Sequence, residues 1–72
     1  MEDIMKTFEI VYECNVLEYV QANTSREALC IYLMHHEELE DMMLYKSAFG
    51  TWKLAEYDDE DNCIIAVEVN LQ

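Results

Sequence analysis

The chain contains no proline and a single glycine, Gly50. Collagen-like, low-complexity and flexible-linker segments need one or both of these residues, so those classes are excluded. Bases are nearly as scarce. Four lysines and arginines stand against sixteen acids, and the formal net charge is −12. Phosphate contact needs Lys and Arg, so no direct binding to DNA or RNA is expected, and no attraction to an anionic membrane. No apolar run approaches the ~20 residues that a membrane-spanning helix requires. Met1–Met5 holds two acids where a basic leader would sit. The three cysteines, Cys14, Cys30 and Cys63, are odd in number and unpatterned in spacing. That argues against a disulfide framework and for free, buried or half-buried thiols in a reducing cytoplasm, the expected location.

What remains is a sequence of 72 residues that is 53% hydrophobic. That composition supports one small core, and residues 1–72 read as a single small acidic domain. At this size folding buries only ~60% of the surface that the unfolded chain exposes, so the margin of stability is modest.

Lys6–Glu13, "KTFEIVYE", alternates Phe8, Ile10 and Tyr12 with Thr7, Glu9, Val11 and Glu13. A period of two marks a half-buried strand. Asn15 suits a tight turn, and Val16–Ala22 reads as the second strand of a hairpin. Two registers are open. A two-residue turn at Cys14–Asn15 puts Leu17 and Tyr19 on the face of Phe8 and Ile10. A loop over Cys14–Val16 puts Val20 and Ala22 there, with Glu18 beside Tyr12, and is the register favoured.

Thr24 and Glu27 form a T-x-x-E capping box that opens a helix. Ala28, Leu29, Tyr32, Leu33, His36, Leu39 and Met43 recur at spacings of three and four, an amphipathic stripe. The helix runs from Ser25 to about Leu44 or breaks near His36. A break has a physical reason: Glu37, Glu38, Glu40 and Asp41 are unfavourable at a helix C-terminus and favourable in the first turn of a new helix. Lys46 and Gly50 mark the exit into a loop. "TWKLAEY" and "CIIAVEVNL" read as two more strands, with "DDEDN" as a hairpin tip between them. In the last strand Ile65, Val67, Val69 and Leu71 share one face and Ile64, Ala66, Glu68 and Asn70 the other. The expected fold is α+β, ββαββ: a four-stranded antiparallel sheet with one helix, continuous or broken, packed on one face.

No motif for catalysis, cofactor or metal is complete. The EF-hand pattern fails on Asp58, Glu60 and Asn62: Cys63 stands where Gly is needed and Val69 where the bidentate Glu belongs. "HHEELE" has Glu40 where H-E-x-x-H needs its second His. His36 reads as a core-edge residue and His35 as a rim residue. The chain is therefore expected to be non-enzymatic, without cofactor or metal.

Two acidic runs carry the functional expectation: "EELED", Glu37–Asp41, and "EYDDEDN", Glu56–Asn62. Helical residues three or four apart lie ~5–6 Å from each other, and charges along one DNA strand recur at ~3.4 Å of rise. Carboxylates so spaced can imitate a phosphate track. Aromatic residues left exposed, Tyr45 or Tyr57, would serve as interface anchors. In size, charge and these two clusters the chain resembles the small acidic anti-defence proteins of phages and mobile elements, anti-CRISPR and anti-restriction proteins of the DNA-mimic type. That resemblance implies an inhibitor acting in the cytoplasm of a bacterial host. Its partner would be a basic surface of a nucleic-acid-handling protein, a nuclease or CRISPR effector. The residues expected to bind that partner are Glu37, Glu38, Glu40, Asp41, Glu56, Tyr57, Asp58, Asp59, Glu60 and Asp61. The alternative is a structural or regulatory binding module, or an antitoxin-like partner, whose contact is apolar and whose charge serves solubility. A homodimer is also expected, because Ile31, Met34 and Met42 exceed what one small sheet would cover.

Overall fold

A computed structural model describes residues 5–56 and 59–69, with residues 59–61 as backbone only. Five strands form one antiparallel sheet: β1 (Lys6–Tyr12), β2 (Asn15–Ala22), β3 (Met42–Lys46), β4 (Trp52–Glu56) and β5 (Asp59–Val69). Their order across the sheet is β2-β1-β5-β4-β3. One helix, α1 (Ser25–His35), and a single 3-10 turn, Glu37–Leu39, lie between β2 and β3.

The α+β class, the antiparallel sheet and the one packed helix are as expected; the strand number is not. Met42–Lys46 is a strand, where the sequence placed the tail of a helix. The cause is visible in the residues. Leu39 and Met43 keep helical spacing, but the chain has already turned at His36, and Met42 and Leu44 point into the core as alternate strand residues. The final strand also starts earlier than expected. Glu56 pairs with Asp59, so "DDEDN" is not a five-residue tip. Its residues from Asp59 onward belong to β5, and Tyr57 and Asp58 lie outside the described residues.

The β1–β2 hairpin reaches the favoured facing by an unexpected route. Its turn is Glu13–Cys14, and both residues have positive φ (49° and 67°), as a type I′ turn requires. Cys14 is therefore an exposed thiol, not a buried one. Asn15 is the first residue of β2, and its side-chain amide donates to the Glu13 carbonyl at 3.2 Å. A bulge between the partners of Ile10 and Val11 then supplies the extra residue. It puts Val20 opposite Phe8 and Glu18 opposite Ile10.

α1 starts as the capping box dictates. Thr24 Oγ1 accepts from the Glu27 N–H at 3.1 Å, and the Glu27 carboxylate accepts from the Asn23 N–H at 2.9 Å. Ala28, Leu29 and Tyr32 are the buried stripe. They close on Phe8, Ile10, Val20, Ala22, Leu54 and Ile64 from the sheet. Ile31 and Met42, expected as surplus, pack against this core. Met34 alone of that group is exposed, at 75%.

Candidate functional site: an acidic pole

Strand direction sorts the charges. β1, β4 and the chain entering α1 run toward one end of the sheet, which holds the Glu13–Cys14 turn, the start of β2, β3 and β5, and the end of β4. At that end Met42 pairs with Glu56, and Glu56 pairs with Asp59. The two acidic runs, 15 residues apart in sequence at their nearest, Asp41 to Glu56, are thereby neighbours in space. Glu37, Glu38, Glu40, Asp41 and Glu56 are all exposed there, and Glu13 and Glu18 add to them. The backbone of Asp59, Glu60 and Asp61 starts β5 at the same place; Tyr57 and Asp58 fall outside the described residues. α1 also points its C-terminus, the negative end of its dipole, toward this pole.

The bases are elsewhere. Lys6 starts β1 opposite Ala22, at the far end, where it meets Glu68 at 3.7 Å. Lys46 pairs with Trp52 where the β3–β4 hairpin meets its loop, midway along the sheet and level with Ile10 and Glu18. The Arg26 guanidinium lies 5.2 Å from the Trp52 ring centroid and the Lys46 ammonium 5.9 Å, a cation–π arrangement. Lys53, the fourth base, follows Trp52 on β4. Lys53 lies in the row of Ile65 and Val11, close to the Glu13–Cys14 turn, so among the described residues the end formed by Met42, Glu56 and Asp59 carries acids without Lys or Arg, while the bases are spread over the rest of the molecule.

His36, next to His35 of the last turn of α1, can become cationic at the acidic pole. It caps α1, donating its backbone N–H to the Leu33 carbonyl at 3.2 Å. Its ring stacks on Tyr32 with centroids 4.2 Å apart. Nε2 lies 3.0 Å from Glu18 Oε1 and Nδ1 3.2 Å from Glu38 Oε2. The Glu18 hydrogen bond raises the His36 pKa above its ordinary value; burial opposes that rise, and the Glu38 hydrogen bond adds to it. Glu38 is held below the usual carboxylate value, first by a backbone hydrogen bond and then by His36. Burial, with Glu18 and Glu38 nearby, pushes the Tyr32 hydroxyl up. The sequence placed His36 at the core edge and His35 at the rim, and so they are. Its two carboxylate partners were not foreseen, since Glu18 reaches it only through the β2 bulge.

Two open hollows flank Leu39 and Met42. One is rimmed by His36, Glu37 and Glu40; the other is lined by Tyr12 and Leu17 and reaches Glu56 and Asn62. Tyr12 donates to Asn62 Oδ1 at 3.3 Å across the second. Both therefore have an apolar floor and a carboxylate at the edge. Tyr45, expected as an exposed anchor, is half-buried; Tyr19 is the open one, at 62%, and both lie on the sheet face away from α1. Among the described residues no group of His, Cys, Asp and Glu is arranged to hold a metal ion, and no helix is long and apolar enough to cross a membrane.

Comparison with protein-family models, with curated proteins and with solved structures finds no match.

Proposed function

We propose that the protein is a non-enzymatic interaction protein, of the inhibitor type, whose acidic pole occupies a basic surface of a nucleic-acid-handling protein. The observation that carries this reading is the Met42–Glu56–Asp59 pairing, which brings both acidic runs to one end, an end that among the described residues holds none of the four bases. A chain that needed charge only for solubility gains nothing from such segregation, because mixed signs serve solubility as well. Segregated charge orients an approaching partner and speeds its encounter.

The hollows beside Leu39 and Met42 define the chemistry of that partner. An arginine or lysine side chain lays its aliphatic stem on apolar surface and keeps its charged head at the rim. Here the stem would rest on Leu39 and Met42, and the head would meet Glu37, Glu40 or Glu56. Carboxylates on a firm strand-paired frame resemble phosphates to such a groove, and the partner's own nucleic acid would be the natural competitor. The test is capture from a bacterial lysate at ~0.1 M and ~1 M salt, between which the Debye length falls from ~10 to ~3 Å, followed by competition with duplex DNA. A basic protein held at low salt, released at high salt and displaced by DNA supports the reading. A partner held equally at both salt levels and indifferent to DNA contradicts it.

A further inference from the structure

The sheet has two faces and α1 covers one of them. On the second, among the described residues, no element packs. Strand alternation places Val11, Tyr19, Ile65, Val67 and Val69 there, with Met43 and Tyr45 toward the β3 edge. Along the part of β5 that pairs with β1, the wholly apolar set, Ile65, Val67 and Val69, faces outward. The core side carries Ile64, Ala66 and Glu68. Tyr19 is 62% exposed, Val67 42% and Ile65 38%.

The charge of this face is as unusual as its composition. On a chain of net charge −12, its described side chains include one acid, Glu9, and one base, Lys53. Glu9 sits on β1 beside Val67 and accepts from the Tyr19 hydroxyl at 3.4 Å. Lys53 sits on β4 beside Ile65. β1 and β4 are the two neighbours of the central strand β5. A two-fold axis along β5 exchanges those neighbours, so that Glu9 of one copy comes over the strand that carries Lys53 of the other. The face is therefore apolar at its centre and charge-complementary to itself.

We propose that this face seats a second copy of the chain, sheet against sheet, around a two-fold axis along β5. Isologous pairing is the commonest form of assembly, and it requires just such a self-complementary patch. Two sheets packed face to face interdigitate their side chains across ~10 Å. Five strands spaced ~4.8 Å, paired over five to seven residues of ~3.3 Å, give each copy roughly 400–500 Å² of plan area. That is the small end of specific interfaces, so the dimer is a weak, reversible one. The axis sets both acidic poles at the same end of the pair. Their mutual repulsion makes the dimer stronger at high salt than at low.

Sedimentation of the full chain at tens of micromolar tests this, at ~0.1 M and ~1 M salt. A dimer whose fraction rises with salt is expected. Val67→Lys should weaken it at least tenfold, while Met34→Lys on the exposed helix face leaves it unchanged. Lys53→Glu should weaken it, and adding Glu9→Lys should restore it; both positions are surface ones, so this pair decides the matter should Val67→Lys melt early. A monomer at both salt levels would overturn the proposal, with the face then left to a different protein. So would a dimer indifferent to a folded Val67→Lys, or one lost in Lys53→Glu and not regained by the double exchange.

Discussion

Glu18 of β2 meets the ring of His36, at the end of α1, at 3.0 Å. Glu38 takes the other ring nitrogen at 3.2 Å, so one imidazole ties the sheet edge, the helix end and the 3-10 turn together. This makes stability depend on pH in a defined sense. His36 has a raised pKa in the folded state, so its contribution is full below the ordinary value of 6.5 and fades as pH rises through the folded value. Glu38 has a lowered pKa, so its contribution is present above the ordinary 4.5 and fades as pH falls through the folded value. Both are at full strength between those two ordinary values. The melting temperature should decline above pH 6.5, and His36→Gln should flatten that decline. A variant profile parallel to the wild type would remove His36 from the account.

Cys14 occupies the left-handed region, at φ 67°. A non-glycine residue there costs ~1–2 kcal/mol, and glycine returns ~0.5–1 of that as lost chain entropy. Cys14→Gly should raise stability by roughly 0.5–1 kcal/mol, or ~3–6 °C in a domain of this size. Cys14→Val, β-branched at the same φ, should lower it. Thermal melting of the two variants reads both signs.

Leu54 is fully buried between α1 and the centre of the sheet. Leu54→Ala should cost ~2–5 kcal/mol in transfer and cavity terms, a large share of the stability of so small a chain. Met34→Ala, on the exposed side of the helix, should stay within ~0.5 kcal/mol. Chemical denaturation measures the contrast.

The local devices were legible in the sequence because they are local. The Phe8–Ile10–Tyr12 alternation, the Thr24–Glu27 cap and the break at His36 each rest on residues a few positions apart, and each stands in the structure. Strand β3 was not legible because Met42–Tyr45 is apolar on both faces, so no alternation shows. Nor was the start of β5, where Asp59, Glu60 and Asp61 have poor strand propensity and Asp59 is paired with Glu56. The acidic runs could be read one by one. Their convergence depends on the β3–β4–β5 order, and the meeting of Glu18 with His36 depends on a bulge; neither leaves a mark in composition or spacing.

The central claim is that the place of the charge matters and not its amount. Two double variants that remove equal charge separate these. Glu40→Gln with Asp41→Asn neutralises the acidic pole. Glu27→Gln with Glu68→Gln neutralises the opposite end; Gln still serves in a capping box, and the exposed Lys6–Glu68 pair contributes little. Binding of both to the captured basic partner is measured by titration at ~0.1 M salt. With ~0.2–1 kcal/mol for each exposed contact and tenfold for every ~1.4 kcal/mol, the pole variant should bind roughly two- to thirtyfold more weakly than wild type. The control should stay within about twofold. Equal losses in the two variants, or none in either, would contradict the account.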